Sequence, residues 1–378
     1  MDKFDYIITG AGAAGLSLLM HMIHSGQSTG KKILLLEQEH KIKNDRTWCY
    51  WEKGQGLFEP IVYKQWQQLW FRTDQGSKLH NIAPYHYKLI RGIDFYNYCF
   101  QSISAVGTIT VEYGKVEACV SNDTGTYVVF NGRRIHAAFI FNSILFTDAA
   151  AKPANYHLLQ HFKGWVVETR EPVFDESQAI LMDFRVEQKN GDTSFVYVMP
   201  FSPTKALVEY TVFSKALLEE KIYDTELAKY CAAYINSTYT VLEKEFGIIP
   251  MTDHVFPEKT NNSINIGTAG GQTKASSGYT FHFIQKQSRD IVESLKNTGK
   301  PFVPTAFFEK RFNWYDRTLL NILCTHSFPG ESVFSILMND NKMLDVLRFL
   351  DNETSLVEEI KLIRGLPKRI FLKAALFS

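Results

Sequence analysis

The run Asp5-Tyr-Ile-Ile-Thr-Gly-Ala-Gly-Ala-Ala-Gly15, followed by Ile33-Leu-Leu-Leu-Glu37, constrains the fold of this chain more than any other segment. Tyr6 to Thr9 reads as a short apolar strand, and Gly10 permits a sharp turn where a side chain would clash. Gly12, with Ala13 and Ala14 after it, lets backbone N–H groups reach a pyrophosphate, and Gly15 lets the next helix lie close on the sheet. Leu16, Leu19, Met20 and Ile23 recur at helical spacing up to a stop at Gly26. The second strand ends in Glu37, whose carboxylate can take both hydroxyls of an adenosine ribose. Placed after a strand, before a helix and with its acid at the right distance, the turn predicts a dinucleotide site. The acid favours FAD or NAD over a 2′-phosphorylated nucleotide.

A chain of 378 residues has room for two interleaved domains with a substantial core. A formal charge of +1 offers no basic surface for nucleic acid. The five cysteines (Cys49, Cys99, Cys119, Cys231, Cys324) are odd in number and form no CxxC pair. Reduced thiols in a cytoplasm are therefore expected, with neither disulfides nor a bound metal. The first strand begins at once, so no secretory leader is expected, and no apolar run approaches the roughly 20 residues of a membrane span. The aromatic fraction of 14% suits either a site for a large apolar ligand or an aromatic-rich core.

The order of elements predicts an α/β fold. Residues 1–154 and 250–300 read as a Rossmann-like FAD-binding domain, with part of 60–92 facing the substrate. Within it, Pro84 to Arg91 reads as a strand, Ile93 to Ser102 as a helix and Ile109 to Tyr113 as a strand. Val116 to Val120, Tyr127 to Phe130 and Arg134 to Ala138 read as a small meander, and Phe139 to Leu145 as a buried strand before a loop with Asp148. Residues 155–249 read as an inserted, mostly antiparallel substrate-binding sheet (strands Trp165 to Thr169, Ala179 to Arg185, Ser194 to Pro200, Ala206 to Phe213) with a helix over Lys215 to Thr238. The strand from Ser263 then runs into the Gly-rich loop Gly267 to Gly271, and Gly278 opens a helix that extends to about Lys296. Residues 301–378 read as helical, with a capping box at Ser355 to Glu358 and a stop at Gly365.

Several segments together resemble the bacterial-type lycopene cyclase family of FAD-dependent enzymes: Asp45-Arg-Thr-Trp-Cys-Tyr-Trp-Glu52, Leu181-Met-Asp-Phe-Arg185, Ala206-Leu-Val-Glu-Tyr-Thr211, Ile248-Ile-Pro-Met251, and Ile266-Gly-Thr-Ala-Gly-Gly271 with Ser277-Gly-Tyr-Thr280. The resemblance covers nearly the whole chain. Two positions depart from related patterns. Thr268 stands where flavin hydroxylases carry an aspartate, and Tyr210 stands where some cyclases carry a second acid after the glutamate.

The resemblance implies redox-neutral, acid-initiated closure of the ψ ends of lycopene to β-ionone rings. It also implies reduced FAD as cofactor and NAD(P)H as electron donor. Glu209 would be the carbon acid. On a strand, Leu207, Glu209 and Thr211 share one face, while Val208, Tyr210 and Val212 share the other. Burial in an apolar pocket would keep the carboxyl protonated near neutral pH. Asp183 would either hold Glu209 protonated, steady a cation, or simply pair with Arg185 or Lys205. Trp48, Tyr50, Trp51, Tyr210 and Tyr279 are candidates for aromatic faces around a cation. Arg46 would contact FAD phosphates or ribityl, and the loop at Val116 would meet adenine. Gly267, Ala269 and Gly270 would approach the pyrophosphate and ribityl. Gly278 would aim N–H groups and a helix dipole at the flavin pyrimidine edge. An insoluble C40 polyene implies access to a membrane. The basic, apolar tail Leu366 to Phe377 suits either an interfacial anchor on the inner face of the cell membrane or a helix packed on the body. Two readings compete with the cyclase: a flavin-dependent isoprenoid hydroxylase or reductase, and a non-catalytic prenyl carrier on a flavoprotein scaffold.

Overall fold

Residues 3–146, 154–302 and 309–377 are described in the computed structural model. The apolar run of β1 (Lys3–Thr9) enters α1 (Ala13–His24), and the chain returns through β2 (Ile33–Glu37), every residue of which is buried. β3 (Thr47–Lys53), β4 (Lys64–Trp66), β5 (Gln68–Thr73), β6 (Gly76–Asn81) and β7 (Tyr85–Arg91) follow, then α2 (Gly92–Ser104) and β8 (Ile109–Tyr113). The meander is β9 (Val116–Asn122), β10 (Gly125–Phe130) and β11 (Arg133–Asn142). Arg134–Ala138 and Phe139–Leu145, expected as two strands, form the single strand β11, because one end pairs with β10 and most of its length pairs in parallel with β1.

A second sheet is built from β12 (His157–Thr169), β13 (Gln178–Asp183), β14 (Thr193–Ser202) and β15 (Lys205–Ser214). After α3 (Glu220–Tyr234) it is completed by the edge strand β16 (Tyr239–Thr252). The helix expected over Lys215 to Thr238 is thus shorter at both ends, and the boundary expected at 249/250 falls inside β16. The chain closes with β17 (Lys259–Thr260), β18 (Ser263–Asn265), α4 (Phe281–Thr298), α5 (Glu309–Thr325), α6 (Gly330–Asp340), α7 (Met343–Leu350), α8 (Leu356–Ile363) and α9 (Lys368–Leu376). The Ser355/Glu358 capping box is present at the start of α8.

The strands assemble into three sheets. The nucleotide-side sheet runs β17-β18-β11-β1-β2-β8, with β9 and β10 joined to β11. The second runs β16-β12-β15-β14-β13-β5-β6 and is antiparallel except where β13 meets β5. The third, β3-β7-β4, lies in sequence between strands of the other two. Two large apolar clusters share this small sheet. Leu16, Leu18, Ile33 and Leu35 pack with Tyr50, Ile90 and Phe281, while Trp51, Tyr87 and Leu89 pack with Met199, Leu207 and helices of the C-terminal part. A cavity lined by Tyr87, Met199 and Leu207 of one cluster and by Ala14, Phe281 and Ile284 of the other lies where they meet.

Candidate functional site

Local backbone chemistry shapes the nucleotide end. Gly10 takes φ +90°, and its N–H donates to Leu36 O at 2.7 Å. A Cβ at Gly15 would collide with Gly10 O. Gly12 caps α1 with no side-chain bond, and a Cβ there would meet nothing within 4 Å. Gly12, Ala13 and Ala14 line one large cavity, to which α1 offers its positive dipole end and a first turn free of acids. Glu37, buried at the end of β2, accepts the Ala11 N–H at 2.5 Å and the Gln38 N–H at 2.8 Å. Its carbonyl takes the Gly114 N–H at 2.8 Å, so the turn leading to Val116 lies beside it. These features fit a dinucleotide: open N–H groups, a helix N-terminus and an adjacent acid.

The Gly267–Gly270 turn presses on this end. Gly267 has φ +60°, and a Cβ there would stand 2.5 Å from the Ala14 Cβ. Thr268 lines the cavity, Ala269 is buried, and Gly270 borders a different hollow. α4 begins at Phe281, three residues after Gly278, and the Gly278 N–H donates to Lys274 O at 2.8 Å. The donor role expected of Gly278 is thus corrected: its N–H is already used, although the residue lines the cavity at φ +70°. Arg46 also lines it, with Nη1 donating to Asp45 O and Phe246 O, each at 3.2 Å.

The same cavity, about 460 Å³, extends to Glu209 in the middle of β15. Leu207, Met199, Phe162, Cys49, Tyr87, Tyr197 and Tyr279 line it as well. Desolvation raises the Glu209 pKa well above the usual carboxylate range, the negative charge of Glu245 raises it further, and the hydroxyl of Thr211, donating at 3.0 Å, opposes them. Glu209 is half-buried and lines the cavity. The phenols of Tyr87 and Tyr197 interact with that of Tyr279, and burial holds Tyr279 up at about 12.

The candidate side chains divide between this cavity and its surroundings. Trp48 and Tyr279 line the cavity, with Trp48 edge-on to Phe95 at 5.0 Å. Tyr50 stacks on Phe281 at 4.7 Å, and Trp51 meets Tyr279 edge-on at 4.6 Å, so both sit behind the wall. Tyr210 points to the opposite face of β15, into the cluster with Tyr223, Leu227 and Tyr230 of α3. Asp183 also belongs to that side and does not reach the cavity. It is fully buried, accepts two bonds from the Arg185 guanidinium (2.8 and 2.6 Å) and one from its backbone N–H (3.1 Å), and takes the Tyr230 hydroxyl at 2.7 Å. The alternatives left open for Asp183 therefore resolve to the Arg185 pair. Asp148 lies outside the described residues. Glu245, Tyr87 and Tyr197 were missed, because only sheet pairing brings them to Glu209.

Over nearly its whole length the chain is similar in structure to a geranylgeranyl bacteriochlorophyll reductase-like protein of Thermoplasma acidophilum, with TM-score 0.63 and 9% identity over 99% of this chain and 98% of that one. The flavin-dependent brominase Bmp2 matches with TM-score 0.59 and 11% identity over 93% and 94%. At these identities the likeness is one of fold, and the fold is the Rossmann-like α/β architecture of FAD-dependent enzymes. In sequence the chain is 25% identical to a lycopene beta-cyclase of Pantoea ananas and 24% identical to one of a Paracoccus strain. These matches cover 66% and 62% of this chain, and 63% of each relative's length. The lycopene cyclase protein family matches residues 5–376, a span that takes in both the glycine turn and the strand of Glu209, and the chain belongs to that family.

Proposed function

We propose that this protein is a lycopene cyclase that closes the ψ ends of lycopene to β-ionone rings without net oxidation or reduction. The observation that carries the reading is the single cavity joining the open N-terminus of α1 to the sheltered carboxyl of Glu209. Family membership and the two lycopene beta-cyclase relatives support the substrate class.

The residues at the glycine turn, Glu37, Arg46 and the Gly267–Gly270 turn would hold FAD. Reduced flavin supplies negative charge beside a carbocation while no electrons are transferred. Electrons to maintain the reduced form would come from NAD(P)H. The chain's own residues do the rest. Glu209, kept neutral by its surroundings, gives its proton to a terminal C=C. A tertiary cation forms, the internal double bond attacks it, and a ring carbon then loses a proton, leaving an isomer of lycopene. Trp48 and Tyr279 offer aromatic faces that stabilise positive charge without attacking it. Leu207, Met199 and Phe162 exclude water that would trap the cation.

Delivery of an insoluble polyene fits a protein in the cytoplasm that docks peripherally on the inner membrane face. Among the described residues no helix is long and apolar enough to cross a membrane. α9 packs on α5 and still exposes Leu372, Leu376 and Phe377 beside Lys368, Arg369 and Lys373. Those side chains suit an anionic lipid surface.

The test is expression in lycopene-accumulating cells, followed by chromatography and mass measurement of the pigments. Cyclisation leaves the mass of lycopene unchanged. A gain of oxygen would replace this reading by a hydroxylase, and a gain of hydrogen by a reductase. Glu209→Gln is expected to retain flavin and lose ring formation, and an active Glu209→Gln protein would reassign the acid.

A further inference from the structure

We propose that Glu245 pairs with Glu209 across Gly164 as a carboxyl dyad holding one proton, and that Glu245 is the charged member that keeps Glu209 protonated. The inference rests on the cyclase reading above and adds a positioning residue to it.

Strand register sets up the pair. β12 runs between β15 and β16, and Gly164 is opposite Glu209 on one side and opposite Glu245 on the other. Residues in register across neighbouring strands project from the same face. Any side chain at 164 would stand between the two acids. A Cβ there would lie 2.9 Å from the Glu245 Cγ, 3.0 Å from its Oε1 and 2.9 Å from the Leu207 Cδ1. Glycine leaves that space to the carboxyls.

Partners of Glu245 make the same point. Its Oε2 accepts the Thr47 hydroxyl at 2.7 Å, while Oε1 is buried with no hydrogen-bond donor within reach. A buried carboxylate oxygen without a donor is costly, and a proton on the facing carboxyl is what would satisfy it. Behind Glu245 a small cavity of about 20 Å³, lined also by Thr47, Arg91 and Lys244, has room for about one water beside the exposed Glu243 and Lys244. Glu209 lines the large cavity and Glu245 the small one.

Burial raises both carboxyls, Glu209 well above the usual range, while the Thr47 bond and Arg46 oppose the rise at Glu245, so Glu245 ionises first and its charge holds Glu209 neutral. The other titratable groups about the pair are Arg46 and Cys49 from β3 and its lead, Tyr87 and Arg91 of β7, Tyr197 of β14, Lys205 of β15, Tyr279, and Glu243 and Lys244 of β16. Burial pushes Cys49 and the three tyrosines upward, so these stay neutral through the physiological range. When Glu209 donates, the pair becomes a dianion, a strong base beside the newly formed ring. The proton that the ring carbon loses restores the single shared proton, and the cycle consumes none.

The deciding measurement is the pH dependence of the cyclisation rate of full-length flavoprotein with lycopene in liposomes and flavin kept reduced. Activity falls as pH rises through the pKa of Glu209. Removing the neighbouring charge lowers that pKa, so Glu245→Gln moves this alkaline limb down by about one pH unit or more, a roughly tenfold loss of rate on the limb. Glu245→Asp recovers part of the shift. Gly164→Ala, which wedges the carboxyls apart, moves the limb in the same direction and decides the matter if Glu245→Gln does not fold. An alkaline limb at the wild-type position in a folded, flavin-retaining Glu245→Gln or Gly164→Ala protein overturns the pairing. Loss of activity in Glu209→Gln alongside an unmoved limb would remove the dyad alone, whereas an active Glu209→Gln protein would remove the reading beneath it.

Discussion

The indole N–H of Trp51 donates to Asp351 Oδ2 at 2.5 Å, tying β3 to the turn that follows α7. Asp351 is 2% exposed, and burial pushes its carboxyl up to about 8, with Glu353 adding to the rise and the Trp51 bond, Lys274 and Lys286 opposing it. Between the ordinary carboxylate range near 4 and the folded value near 8, the folded protein holds a proton that the unfolded chain has lost. Stability therefore declines as pH rises through this window, by up to about 1.4 kcal/mol per unit. Asp351→Asn should flatten that decline, as urea unfolding at pH 5, 6.5 and 8 would reveal; a slope identical to wild type would contradict the assignment. Trp51→Phe, which leaves the buried carboxyl without its donor, should lower stability by about 1–3 kcal/mol.

The close approach of Gly267 to Ala14 should make flavin retention sensitive to one methyl group. At φ +60°, with the Ala14 Cβ 2.5 Å from where its own would stand, alanine at 267 is both strained and obstructed. Gly267→Ala should push the turn away from the start of α1. Flavin affinity should fall about tenfold or more, equivalent to ~1.4 kcal/mol. The flavin-to-protein ratio after gel filtration gives the answer, and a wild-type ratio would show that the turn does not touch the cofactor.

Legibility from sequence followed the range of the interactions. The glycine turn and Glu37 were readable because the strand, turn, helix and acid they need are local, and the structure has β1, α1 and β2 in those places. Alternation along Ala206 to Phe213 correctly separated the face of Glu209 from that of Tyr210, which packs against α3. Tyr210, expected as a substrate contact beside Glu209, belongs to the α3 side instead. Glu245 was hidden because Glu243-Lys-Glu245 resembles a solvated stretch, and only the long β12 to β16 pairing places one of its acids under cover. Tyr87 and Tyr197 come from different sheets, and nothing local announces their convergence on Tyr279.

Lys88 is the one fully buried lysine side chain among the ion pairs of the described residues. Its Nζ reaches Glu59 at 2.5 Å, Gly54 O at 2.6 Å and Glu52 at 3.0 Å. Lys88→Met removes the cation and leaves two carboxylates, each less than a third exposed, facing each other under the small sheet. A loss of about 3 kcal/mol is expected, read as a lowered urea midpoint. Adding Glu52→Gln and Glu59→Gln to Lys88→Met should return most of it. A triple variant no more stable than Lys88→Met would mean that the loss came from packing of the lysine stem.

If the C-terminal helix docks on a membrane as proposed, its docking and its folding contacts should be separable. Leu372, Leu376 and Phe377 are 65%, 83% and 68% exposed, so the body gains little from them. Across the same helix the buried Ala374, and the Ala375 carbonyl that accepts the Trp314 indole at 3.1 Å, hold it to α5. Serine at all three exposed positions should leave the urea midpoint within about 0.5 kcal/mol of wild type. Co-sedimentation with anionic vesicles should fall about tenfold, because each fully buried apolar side chain is worth about 1.5–3 kcal/mol and these insert only partly. Raising salt should weaken wild-type binding as well, since Lys368, Arg369 and Lys373 contribute by attraction to the anionic surface. Unchanged sedimentation of the triple variant would move the docking surface elsewhere, with the exposed Leu356, Val357 and Ile360 of α8 the next to replace.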